Sequence, residues 1–112
     1  MFAAKRARLE GERVTLDDVT TKFAANHAVL PGKRIRFDFA GDGTLMLDGV
    51  TGSVSNDGSP ADLAIAMNLS DLAAIRAGTL DPMAAYFSGR IRLDGDMMLA
   101  MRLRELMEKL AR

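Results

Sequence analysis

The sequence predicts an α+β domain of two layers, a five-stranded and mainly antiparallel sheet with helices on one face. Three observations carry this. Five short segments alternate large apolar residues with polar ones or, in Leu63–Met67, with Ala, the period of a strand with one buried side. None of the five is a continuous run of large apolar residues, as strands of a parallel sheet covered on both faces would be. Between and around them lie stretches with helical spacing and recognisable start and stop signals.

Taken in order, residues 1–14 are a short basic lead, either disordered or a frayed helix. Thr15-Leu16-Asp17-Asp18 has the form of a capping box, with an acidic residue three positions after the cap. Leu16, Val19, Phe23 and His27 recur at helical spacing, so a helix is expected over 16–28. Pro31-Gly32 stops it. Ile35, Phe37 and Phe39 alternate with Arg34, Arg36 and Asp38, a strand with one wet face. Gly41-Asp42-Gly43 reads as a tight hairpin turn of type I′. Leu45 and Leu47 continue inward on the return strand. A second turn at Asp48-Gly49 leads to a more polar strand, Val50–Ser55. Residues 56–60 (NDGSP) are a loop by composition.

Leu63, Ile65 and Met67 mark a fourth strand. Ser70 is the expected cap of a short helix with Leu72 and Ile75 inside and Gly78 at its end. Asp81-Pro82 opens another, with Pro in the first position and Met83, Tyr86 and Phe87 as its apolar side. The fifth strand is read as Arg90–Asp94. Asp96 caps a last helix reaching to about Ala111.

The 112 residues suffice for one domain, 1–112, and for a core without staples. There is no Cys and one His, which removes disulfides, thiol nucleophiles and His- or Cys-ligated metal sites. No apolar run exceeds five residues, where a membrane span needs about 20. The first residues lack an apolar signal core and the last, KLAR, are not a peroxisomal address of the S-K-L type, so the expected location is the cytoplasm. Net charge is zero, which argues against nucleic acid as a partner. The charges are uneven: residues 38–81 hold seven Asp against one Arg. The basic remainder is either an ordinary solvated surface or a face for anionic membranes.

The last helix draws notice. Met97–Met101 is apolar all round, which implies enclosure on more than one side. Leu103, Leu106, Met107 and Leu110 then keep one apolar stripe. Four of the eight Met residues lie in this helix. Methionine is flexible and adapts to irregular contents. The stretch is therefore either a pocket wall for an apolar guest or a gap-filling part of the core.

The second half of the chain holds Gly78-Thr79-Leu80-Asp81-Pro82, Ser88-Gly89-Arg90-Ile91, Gly95-Asp96 and Leu99-Ala100, and Phe37–Gly43 adds a weaker echo. With these motifs the chain resembles the sterol carrier protein 2 (SCP-2) family, in particular a stand-alone bacterial domain of that kind. It implies an apolar tunnel between sheet and helices, with a lipid ligand: fatty acid, acyl-CoA, sterol-like or quinone-like. Residue by residue it points to Phe37, Phe39, Leu45, Ile65, Met83, Phe87, Met97, Met98 and Met101 as the lining. Gly89, Gly95 and Asp96 serve turns and a cap.

No catalytic constellation is found. His27 sits on an apolar helical stripe and reads as partly buried core, there is no GxSxG, and the turn aspartates have backbone reasons to be there. No enzyme activity, cofactor or metal is expected. The function expected is an intracellular lipid carrier. The alternative is a non-catalytic accessory subunit of a lipid- or quinone-metabolising enzyme.

Overall fold

In a computed structural model that describes residues 14–102, the five expected strands form one sheet in the order β3-β2-β1-β4-β5. The strands are β1 Arg34–Asp38, β2 Thr44–Asp48, β3 Ser53–Ser55, β4 Leu63–Ala66 and β5 Arg92–Gly95. Three neighbour pairs are antiparallel and β1–β4 is parallel. The helices are α1 Leu16–Ala25, α2 Leu69–Ala77, α3 Pro82–Phe87 and α4, which occupies residues 97–102 at the end of the described chain. The expectations for residues 1–13 and for Leu103–Ala111 lie outside the described residues.

The strand register sets the core. Val54, Leu47, Ile35 and Leu63 form one row across the inner face, ending at Gly95. Leu45, Phe37, Ile65 and Leu93 form the next. Side chains alternate faces along each strand, so both rows point the same way. Val19 and Phe23 of α1, Leu72 of α2 and Leu99 of α4 complete the buried cluster. Phe37 stacks on Phe39 at 5.6 Å and meets the edge of Phe23 at 5.9 Å.

The other face is not uniformly wet, a correction to the sequence reading. β3 and β4 both run in the direction of β1, so residues 56–62 must travel the length of the sheet. Asn56 starts beside Thr44 (2.8 and 2.9 Å) and Asp62 ends beside Arg34 (2.8 and 2.9 Å). Between them the outward Arg36 donates from Nη1 to the Ser59 carbonyl at 2.9 Å, which puts the crossing on the outer face. Met46, opposite Arg36 on that face, is 1% exposed.

Several ends differ from expectation. Helix α1 has the capping box: Thr15 Oγ1 accepts from the Asp18 N–H at 3.1 Å and Asp18 accepts from the Thr15 N–H at 2.9 Å. It stops at Ala25, however, and His27 is exposed rather than buried. His27 N–H donates to Ala24 and Ala28 N–H to Phe23, a Schellman ending with His27 in the left-handed position at φ 49°. Histidine enters this region more readily than most residues with a Cβ, but not freely. The left-handed conformation costs a residue with a Cβ about 1–2 kcal/mol. Glycine escapes this but loses about 0.5–1 kcal/mol of unfolded-chain entropy. His27→Gly is therefore expected to stabilise the fold by about 0.5–1 kcal/mol, read as a higher urea midpoint at unchanged slope.

The first hairpin turns through a short 3-10 segment, Ala40–Asp42, closed by the Phe39 N–H donating to the Gly43 carbonyl at 2.8 Å; it is not a two-residue type I′ turn. β3 is shorter than expected because Asp48 accepts from the N–H groups of Val50 and Thr51 and holds residues 49–52 in a turn. Helix α2 starts after Asn68, not Ser70, and ends as expected at Gly78, φ 83°. Strand β5 starts two residues late, because the N–H groups of Arg90 and Ile91 are spent on the Ala85 carbonyl at the end of α3.

Candidate functional site

The nine residues expected to share one lining fall into two groups. Phe37, Phe39, Leu45 and Ile65 come together on the inner sheet face, none more than 1% exposed. Their place follows from alternation and register: Leu45 and Ile65 flank Phe37 across β2 and β4. Met83, Phe87, Met97, Met98 and Met101 stand on the surface, from 48% exposed at Met97 to 77% at Phe87.

The reason lies in helix phase. Asp81 accepts from the Ala84 N–H at 2.9 Å and Pro82 opens α3, which fixes its rotation. With only six residues, α3 turns Ala85 inward and leaves Met83, Tyr86 and Phe87 outside, with the Tyr86 and Phe87 rings in contact at 5.6 Å. In α4, Asp96 accepts from the Met98 N–H at 3.0 Å, and its own N–H donates to the Asp62 carbonyl at 2.8 Å. The cap was expected; the enclosure of 97–101 was not met. Leu99 is 2% exposed and Ala100 packs against the core, while Met97, Met98 and Met101 point away. Leu99 was missed as the anchor. The signal was present, since Leu103 and Leu106 lie four and seven positions after it on one helical stripe.

The glycines of the resembling motif act through backbone. Gly95 has φ 125°, and a Cβ there would overlap the Asp62 carbonyl oxygen.

A cleft of about 410 Å³ opens at the carboxyl ends of the parallel pair β1 and β4. Asp38, Ala66, Met67, Asn68, Arg90 and Arg92 line it. Asp38 is committed to Arg36 by two hydrogen bonds, 2.8 and 3.2 Å. That carboxylate raises the Arg36 guanidinium above its ordinary pKa against the effect of burial, and Asp94 adds to it. Arg90 reaches Asp71 at 3.8 Å. The Arg92 side chain makes no hydrogen bond or ion pair with any described residue. Sequence reading passed over both arginines, because alternation with Ile91 and Leu93 accounts for them as the wet side of a strand.

Among the described residues no group of three or more His, Asp or Glu is placed to hold a metal ion, and no helix is long and apolar enough to cross a membrane.

Comparison with known proteins gives a consistent result. Residues 14–108 match the family model described as the SCP-2 sterol transfer family. The chain is similar to sterol carrier protein 2 of Bos taurus, 41% identical over 51 residues, which is 46% of this chain and 9% of that protein. It thus spans about a tenth of the length of the curated relatives it matches. Among solved structures it is similar to sterol carrier protein-2 of Aedes aegypti in complex with the C16 fatty acid palmitate. That likeness has a TM-score of 0.70 at 17% identity, covering 88% of this chain and 98% of that one. It is also similar to sterol carrier protein 2 like 2 of the same organism, with a TM-score of 0.60 at 25% identity, covering 78% and 90%. The sheet order, the helices around it and a family match over most of the chain agree: this chain belongs to the SCP-2 sterol transfer family.

Proposed function

We propose that this chain is a lipid carrier module that binds an apolar chain without chemistry of its own. The observation that carries the reading is the set of five large apolar side chains on α3 and α4, Met83, Phe87, Met97, Met98 and Met101, all about half exposed or more beside a well-packed sheet. Apolar surface left in water is costly at about 25 cal/mol per Å², and contiguous patches of it commonly mark binding surfaces. Four of the five are methionine, a side chain that re-packs around guests of different shape. A fatty acyl chain would lie along these outward side chains, and would reach the inner face built on Phe37, Phe39, Leu45 and Ile65 only if the inward Ala85 and Leu99 gave way. Family membership supports the same reading. On this reading the protein works as one domain in the cytoplasm and releases its ligand at an anionic membrane.

The test is native mass spectrometry of the gently purified protein, followed by organic extraction. A stoichiometric lipid mass is the expected result and names the ligand class. A bare protein that also fails to take up added fatty acid, acyl-CoA, sterol or quinone sinks the carrier reading. The exposed apolar side chains then favour the second reading, an accessory subunit whose methionines contact an enzyme partner.

A further inference from the structure

We propose that the cleft at the carboxyl ends of β1 and β4 is an anion subsite, in which Arg92 and Arg90 take a phosphate or carboxylate group. For the apolar part of the ligand this rests on the lipid-carrier reading; for the anion it stands on the cleft itself.

The cleft, at about 410 Å³, falls within the size range of small-molecule pockets. Its lining holds two arginines against one carboxylate, and that carboxylate is already paired. Asp38 is the carboxylate in the lining, and both its oxygens are already bound by Arg36. Asp71 faces Arg90 from α2, but only at 3.8 Å and without a hydrogen bond between them. Asp94, next along β5 on the same face, acts on Arg36. The Arg92 guanidinium is left with no partner among the described residues. A guanidinium offers a planar fork that fits the oxygens of phosphate or carboxylate in pairs, and this cleft is lined by two. Helix α2 adds to it: it opens at Asn68, whose side chain makes no capping bond and lines the cleft.

The floor gives the subsite its direction. Met67 ends the inward series Leu63, Ile65, Met67 and belongs to the buried cluster at 6% exposure, yet it also lines the cleft. A charged head held by Arg90 and Arg92 would therefore sit beside a member of the apolar core. The chemistry selected is an amphiphile with an anionic end.

The experiment uses the full chain and four probes: inorganic phosphate, hexadecyl phosphate, palmitate and the neutral hexadecanol. Amide NMR spectra are recorded during each titration, for the natural protein and for Arg90→Gln/Arg92→Gln. Phosphate alone should move the amides of residues 66–68 and 89–92. Hexadecyl phosphate or palmitate should bind about tenfold more tightly than hexadecanol. The double variant should lose that ratio and keep its hexadecanol affinity and melting temperature. A ratio that survives in the double variant, or amides of the cleft that no anion moves, overturns the proposal. Movement by phosphate, with no gain for hexadecyl phosphate over hexadecanol, supports the subsite and assigns it a free anion. Movement by phosphate with no binding of hexadecanol or either lipid supports the subsite and overturns the carrier reading instead.

Discussion

Gly49→Ala should destabilise the fold by about 3 kcal/mol or more, the upper range for overpacking a rigid site. Gly49 follows β2 where the chain passes residues 30–33. Its N–H donates to the Lys33 carbonyl at 2.8 Å, and its own carbonyl accepts from the Gly32 N–H at 2.9 Å. A Cβ here would overlap the Leu30 carbonyl oxygen and stand 2.7 Å from that of Lys33. These are backbone atoms, so no rotamer change relieves the overlap. One of the two segments must move, and moving it breaks the two hydrogen bonds that close the end of the sheet. A domain of this length has a total stability of only about 5–15 kcal/mol. Urea denaturation reads the effect directly. A loss below 1 kcal/mol would mean that residues 30–33 are far more yielding than their packing implies. Gly49 has no positive φ, so its cost is overlap alone; Gly52→Ala, at φ 77° with nothing within 4 Å, measures the cost of a positive φ by itself.

Leu99→Ala should cost about 2–5 kcal/mol, while Met98→Ala and Met101→Ala should each stay within about 0.5 kcal/mol of the natural protein. The three residues lie within one turn of α4. Leu99 is 2% exposed in the central cluster; Met98 and Met101 are 71% and 74% exposed. Truncating Leu99 leaves a cavity under the helix, while truncating either methionine removes surface that water already touches. Lipid affinity should show the reverse order, with the two methionine variants weakened and still fully folded. Equal stability losses at all three positions would place Met98 and Met101 inside the core. Equal lipid affinity in all three would remove them from the ligand surface.

Much of this fold can be read in local signals. Thr15 and Asp18 form their reciprocal cap, Asp81-Pro82 and Asp96 start helices where those residue types predict, and Gly78 ends one. Alternation at Ile35–Phe39 and Leu63–Met67 identifies the inner face. Each of these depends on atoms within a few residues of one another, so the signal is written in consecutive positions. His27 shows the limit of the same logic. Its spacing suited an apolar stripe, but a turn in the left-handed conformation exposed it. Helical periodicity says nothing about where the helix stops when no glycine marks the place.

What the sequence determined by itself was the set of elements, the inward side of each strand and the likeness that names the family. The tertiary structure alone decided which side chains meet. It paired β1 with β4 in parallel and sent residues 56–62 across the outer face. It turned Leu99 rather than its methionine neighbours inward, and brought Arg90 and Arg92 beside Asn68 and Met67 in one cleft. The physical reason is that alternation and helical spacing specify a face relative to its own segment. The rotation of a short helix and the order of strands are set by contacts between segments far apart in the chain, such as the Asp62 carbonyl that receives Asp96 and leaves no room for a side chain at position 95.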